Sequence, residues 1–354
     1  VAAKKELTIL RLRRQAIGRS LFSPATLQGA IDRLGFIQAD PIRAPARAQD
    51  LILRHRAQGY RAGDLDRQYQ SLDVEEDYLY AYGFLSRRVW QLMHPRKTSR
   101  LRAIETKVLA LVCSLGETHP RALEHHLGRR RIVNAWGGYS KATTNALEWL
   151  HWRGLLRIAR RERGVRVYRA VESRTEASAP IDRLRGLIMT VAGIFAPSPE
   201  RSLQTLVARY RDLGGPRQVL RDLIREGELC TEIIDGVSYV WPAGGLKADE
   251  SPRRVRFLAP FDPVVWDRAR FEHFWGWPYR FEAYTPSAKR VRGYYAMPLL
   301  WGDDFVGWAN AAVRGATLDV ETGYIAKQPR TPEFRRELDA EIARLERFLR
   351  LTRE

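Results

Sequence analysis

The chain has 354 residues, 45% of them apolar, and sets 60 lysines and arginines against 41 aspartates and glutamates, a formal charge of +19. That length calls for two to four domains, the apolar fraction excludes a disordered chain, and the cationic surplus points to a polyanion, nucleic acid before a membrane surface or an acidic protein. No apolar run approaches the roughly 18 residues of a membrane span, the opening "VAAKKELTIL" lacks a signal-peptide layout, and Cys113 and Cys230 stand outside any ligand spacing. The expectation is therefore a soluble cytoplasmic, nucleoid-associated protein with no metal and no cofactor. An arginine bias inherited from a GC-rich genome would also raise the charge, but would not organise it.

In chain order, "ELTILRLRRQAI" has helical periodicity, and "SPATLQGAIDRLG" is a second helix with a Ser-Pro start and a glycine stop. The strand "FIQAD" follows and ends at Pro41, which cannot donate to a ladder. Within it Gln38 and Asp40 are two apart, so an extended segment points both side chains the same way, with Arg43 and Arg47 just beyond. From spacing alone the plainer reading is a strand edge whose aspartate caps the chain or pairs with Arg43 or Arg47.

Two short helices, "TKVLALVCSLG" and "PRALEHHLG", precede a third that starts at Ser140 and stops at Gly154; "LLRIAR" and "VRVYRA" then form a hairpin about Gly164. The same order recurs as "IDRLRGLIMTVAGIF", "RSLQTLVARYRD", "PRQVLRDLIREG" and a hairpin turning at Asp235-Gly236, with Gly227 matching Gly154. Three helices and a two-stranded wing make a winged helix-turn-helix. With the front segment read as a third copy, the prediction is an α+β chain of three tandem winged-helix units, 1–98, 99–175 and 176–246. In the first, Gln38 and Asp40 would lie on the first strand of the wing. From 247 to 354 an antiparallel β-rich domain is expected, with hairpins near 286–292 and 302–304 and a closing helix capped by Thr331.

A winged helix sets its third helix in the major groove and its wing near the backbone. Arg129, Arg130 and Arg131 between helices, and Arg160, Arg161, Arg163 and Arg166 on the second wing, are candidate phosphate contacts. Lys289, Arg290 and Arg292 form another basic group, as do Arg253, Arg254 and Arg256, whereas Glu232 and Asp235 on the third wing would repel DNA. For the second wing's tip the alternative is a simple solvated hairpin.

The segments "LGFIQADPI", "EEDYLYAYGFLSRRVWQLM" and "LAPFDPVVWDRARFEHFWGWPYRFEAYTPSAKRVRGYYAMPLLWGDDFVGW" resemble the bacterial winged-helix DNA glycosylases that unhook interstrand crosslinks, the AlkZ and YcaQ group. The resemblance covers most of the chain. It implies three winged helices and a β-rich part folded as a C-shaped clamp on double-stranded DNA carrying N7-alkylguanine. It also implies a Gln-x-Gln or Gln-x-Asp active site, and Gln38-Ala39-Asp40 matches the second form, that of the YcaQ-like branch. Two positions depart from the pattern: Tyr80 stands where a histidine is expected, and "GWAN", with Trp308 and Asn310, replaces Gly-Arg-x-Asp.

The chemistry fits the motif. N7-alkylguanine is cationic and already a good leaving group, so the need is for a carboxylate that stabilises the oxocarbenium-like sugar and activates water. Asp40 is the candidate for that role and Gln38 for holding the water, with Arg43 and Arg47 on flanking phosphates. The motif has no lysine to form a Schiff base, so hydrolysis without strand cleavage is expected, by a monomer. A crosslinked base cannot enter a closed flipping pocket, which suits an open groove. The rival function is a transcription regulator, which would keep one reading helix and dimerise.

Overall fold

The computed structural model describes residues 8–96, 100–133, 137–171, 178–244 and 253–351. After an opening helix, Ile9–Ser20, capped by Thr8, three stretches of chain share one connectivity. In the first, helix Leu27–Leu34 leads into β1 (Phe36–Gln38), two short helices follow (Ala48–Leu53 and Asp64–Gln68), and β2 (Val74–Tyr78) and β3 (Tyr82–Ser86) close it as a hairpin. The antiparallel sheet has the order β1-β3-β2.

The second stretch runs through helices Ala103–Leu115 and Pro120–Leu127, a small ladder of β4 (Arg131–Val133) and β5 (Tyr139–Lys141), helix Ala142–Trp152, and a hairpin of β6 (Leu156–Glu162) and β7 (Val165–Ala170). Here the strand equivalent to β1 shrinks to a single bridge, Thr118 to Tyr168. In the third stretch helix Pro180–Ile194 is followed by β8 (Ser198–Pro199), helices Glu200–Val207 and Pro216–Arg225, and the hairpin of β9 (Leu229–Ile234) and β10 (Val237–Pro242), in the order β8-β10-β9. The hairpins β6-β7 and β9-β10 turn at Arg163-Gly164 and Asp235-Gly236, all four residues at positive φ, a turn whose twist matches the strands it joins.

The C-terminal part is a curled antiparallel sheet, β11 (Val255–Phe257), β12 (Met297–Trp301), β13 (Asp304–Arg314) and β14 (Thr317–Tyr324), crossed by the closing helix Pro332–Leu349. The chain is thus α+β. Thr331 caps the last helix, its hydroxyl accepting from Phe334 N–H at 3.2 Å, and Gly302-Asp303 makes the tight turn expected there.

Three local expectations are corrected. The helix predicted from Ser140 starts at Ala142, because Ser140 is spent in β5. The helix predicted from Ser23-Pro24 starts at Leu27, because Thr26 supplies the cap, accepting from Gly29 N–H. The segment 286–292 forms no hairpin: it is an irregular loop with one 3₁₀ turn, Ser287–Lys289.

The stretches are fused by shared cores. One cluster joins Ile37, Leu51 and Phe84 to Leu147 and Tyr168 and to Val255, Met297 and Phe334. A second joins Phe36, Tyr80 and Leu85 to Leu187, Val191 and Leu220. Phe36 and Ile37, adjacent in β1, face opposite cores, as the alternation of a strand requires. The residues next along β1 therefore follow directly on a strand packed between the two cores.

Candidate active site

Gln38 ends β1, opposite Gly83 of β3. A Cβ at Gly83 would lie 2.3 Å from the Ile37 carbonyl oxygen and 2.6 Å from the Phe36 ring, so the close approach of β1 depends on glycine here. One more ladder bond follows, Ala39 N–H to Tyr82 O at 2.9 Å, and the chain then leaves the sheet. The expected strand 36–40 is thus two residues shorter, because Pro41 ends the pairing and Asp40 makes a turn of its own. Asp40 Oδ1 accepts from Ile42 N–H at 2.9 Å, and Asp40 N–H donates to Gln49 Oε1 at 3.3 Å. Neither Arg43 nor Arg47 is paired with it: Arg47 reaches Asp50 at 3.0 Å and Asp66 at 2.7 Å.

The Gln38 side chain is oriented from 228 residues away, its Oε1 accepting from Trp266 Nε1–H at 2.8 Å. An indole can only donate, so this contact fixes which end of the amide is oxygen and turns the NH₂ the other way. Trp266 is itself gripped by Phe195 and Tyr80, with ring centroids 4.9 and 5.0 Å away, and Tyr80 packs on Phe36 at 4.7 Å. Tyr80, in the place of the expected histidine, is therefore a wall behind the indole. Asp262 and Asp267 flank Trp266 and cap the helices Pro263–Trp266 and Arg268–Trp275. Asp262 also takes a bidentate grip from Arg56, at 2.8 and 2.9 Å, with neither side chain exposed to solvent. The remaining Arg56 donors go to Ser20 and to the Ile52 carbonyl.

Burial pushes the Asp40 carboxyl above the ordinary aspartate range, against the opposing pull of the Ile42 N–H. Tyr295, the residue before β12 by one alanine, lies within reach of its charge: burial first, and then Asp40, hold the phenol far above its usual value. The Tyr295 hydroxyl is buried and has no hydrogen-bond partner among the described residues. The site thus combines a half-buried carboxylate, an oriented amide and an unpartnered phenol. The DNA glycosylase AlkZ-like family profile matches residues 31–348, from the helix before β1 to the closing helix.

The chain belongs to the AlkZ-like DNA glycosylase family.

Its substrate is therefore DNA and its reaction base excision in DNA repair. Against that background the predicted phosphate contacts fall into two groups. Arg43, Arg129, Arg130, Arg131, Arg163 and Lys289 are exposed, though Arg129 also reaches Glu124 at 3.1 Å. The others are engaged within the protein. Arg161 donates to the buried Glu76 carboxylate, Arg166 lies over the Tyr82 ring at 4.6 Å, and Arg160 pairs with Glu117 and Glu162. Arg290 donates to Thr285 O at 2.8 Å and lies over Tyr294, and Arg292 pairs with Glu282 at 3.3 Å and lies over Trp277.

The second hairpin's arginines are explained by its neighbour. Glu75, Glu76 and Asp77 of β2 are all buried, and Arg157 and Arg161 from β6 meet the first two at 2.7 and 2.9 Å. Asp77 takes His94 at 2.6 Å and Arg96 at 3.0 Å, and these hold its carboxyl low although burial opposes them. Trp266, Tyr295 and Gly83 carry no role in the expectations from sequence. The signal for the first two was the aromatic density around "WDRAR" and "GYYAMP".

No helix among the described residues is long and apolar enough to cross a membrane.

Proposed function

We propose that this glycosylase hydrolyses the N-glycosyl bond of N7-alkylguanine in duplex DNA, guanines tied into interstrand crosslinks included, and leaves the strand uncut. The reading rests on one observation: a half-buried carboxylate, Asp40, two residues along the chain from an amide whose orientation is fixed by Trp266. Gln38 and Asp40 are the catalytic pair of a Gln-x-Asp branch. With its carbonyl committed to the indole, Gln38 offers its NH₂ to the oxygen of the attacking water, while Asp40 takes the proton and faces the cationic sugar. The alkylated base departs without an acid, since loss of the glycosyl bond neutralises its charge. The absence of lysine from the motif supports simple hydrolysis.

In this account the three stretches with strand order 1-3-2 are winged-helix units, which with the curled sheet make a monomeric C-shaped clamp. Arg43, Arg129, Arg130, Arg131, Arg163 and Lys289 neutralise phosphates. Arg160, Arg161, Arg166, Arg290, Arg292 and Arg47 hold the surfaces from which those contacts are made. The test is release of free base from duplex carrying N7-methylguanine or a nitrogen-mustard crosslink, with product strands resolved before and after alkali. Base release with strand breaks only after alkali is expected. Breaks without alkali would contradict the hydrolytic reading, and release from monoadducts alone would remove the crosslink part.

A further inference from the structure

The end of helix Ala48–Leu53 and the turn after it face the closing helix across a cleft of about 280 Å³. Its edges are held together: Ala62 N–H donates to Phe348 O at 3.0 Å, and the Tyr60 and Phe348 rings stack with centroids 6.3 Å apart. Four arginines line the cleft, Arg54 and Arg61 from the first stretch, Arg344 and Arg347 from the closing helix. Glu341 is the one carboxylate among the lining residues.

That carboxylate cannot match them. One Glu341 oxygen accepts from Arg54 and from Phe257 N–H at 3.0 Å, and the other from Arg344 Nε at 2.9 Å. Arg61 donates to the Arg347 carbonyl, which carries no charge, and the Arg347 side chain is exposed. Asp64, three residues beyond Arg61, accepts from the Arg61 backbone N–H at 2.6 Å and pairs with Arg67 and Arg350. Burial sharpens the imbalance. The Arg54 side chain is 4% exposed, and its Nε–H is buried with no hydrogen-bond partner among the described residues. In β11 the Val255 carbonyl takes Arg344 at 3.1 Å, and the Nη1 of the next residue, Arg256, is also buried without a partner. A buried guanidinium N–H with no acceptor is disfavoured, and an anion supplies both the acceptor and the missing charge.

The size and the donors indicate the class of anion. The cleft is smaller than the roughly 300–1,000 Å³ that takes a drug-sized ligand. Its charge is carried by guanidiniums, two from each side, whose forked donors suit the oxygens of phosphate. We propose that this cleft binds a phosphate dianion, free or as the terminal group of a small phosphomonoester, and so ties the closing helix to the first stretch. The inference uses neither Gln38 nor Asp40 and is tested by binding, so its failure is separate from a failure to release base.

The probe is inorganic phosphate, titrated into the full chain by calorimetry at constant ionic strength, with a nucleoside 5′-monophosphate as second ligand. One saturable site per chain is expected. Tighter binding of the monophosphate would identify a phosphomonoester as the source, and equal or weaker binding would identify free phosphate. Arg347→Gln and Arg61→Gln are each expected to weaken phosphate binding at least tenfold. Arg335→Gln, near the start of the same helix and outside the cleft, should leave it within twofold. Phosphate also stabilises folded proteins by exclusion from their surface, so the melting temperature should rise saturably with phosphate in wild type and without saturation in Arg347→Gln. No saturable heat, equal affinity in wild type and both cleft variants, or displacement of phosphate by undamaged duplex DNA would each overturn the proposal.

Discussion

Replacing Trp266 by phenylalanine removes one donor from the active site and little else. The phenyl ring can still occupy the space against Phe195 and Tyr80, now at 4.9 and 5.0 Å from the indole. What is lost is the 2.8 Å bond to Gln38 Oε1. A neutral hydrogen bond contributes on the order of 1 kcal/mol net, and about 1.4 kcal/mol is a tenfold change in rate. If the bond holds the amide in its reactive orientation, Trp266→Phe should slow base release about five- to tenfold and leave DNA affinity within about twofold. The assay is single-turnover release of N7-methylguanine from duplex at saturating enzyme, run in a double-mutant cycle with Gln38→Ala. In the Gln38→Ala background the Trp266 substitution should cost almost nothing, since there is no amide left to orient. Wild-type rates for Trp266→Phe, or the same slowing in both backgrounds, would refute the reasoning and make the contact mere packing.

Arg56→Met strips the partner from the buried Asp262 carboxylate. Leaving such a charge unpaired costs about 3–5 kcal/mol, so thermal unfolding should show a lowered midpoint, with salt giving little rescue. Gly83→Ala forces β1 off its partner, given the 2.3 Å approach to Ile37 O; both the melting temperature and base release should fall, while Ala39→Gly beside it should leave the melting temperature nearly unchanged. Asp40 acts ionised and its carboxyl is raised by burial, so the acid limb of the rate–pH profile should fall at a higher pH than for an ordinary aspartate. The same shift has a stability consequence: a raised folded-state pKa contributes stability below the ordinary aspartate pKa that is lost as pH rises through the folded value. Asp40→Asn, which keeps an oxygen for Ile42 N–H, should therefore be at least as stable as wild type at neutral pH, with any gain vanishing in acid; chemical denaturation at both pH values checks this.

Much of the fold was readable because local signals were strong. Gly35 and Gly154 mark helix ends at positive φ, Thr331 caps the last helix, and Asp235-Gly236 turns a hairpin. Gln38 and Asp40 stood out because an amide and a carboxylate two apart before a proline are odd companions in so cationic a chain. What sequence could not supply was long-range. The oxygen of Gln38 is fixed by Trp266, and the arginines of β6 are claimed by Glu75 and Glu76 of β2. Arg161 and Arg166 therefore looked like free cations on a wing tip when their charge is matched or stacked inside the protein. Periodicity reports which face is buried; it cannot report which distant carboxylate waits on that face. The segment 286–292 departs from the expected hairpin for a related reason, since its shape is set by Glu282 and Asn310 rather than by turn residues.

The central claim is that Asp40 drives hydrolysis of the glycosyl bond. It is tested most directly by incubating wild type and Asp40→Asn with duplex DNA containing N7-methylguanine and measuring free base, with binding to the same duplex in parallel. The account predicts release by wild type that drops by several orders of magnitude in the variant while binding is kept. Release that survives the substitution would contradict it and move the catalytic group elsewhere in the site.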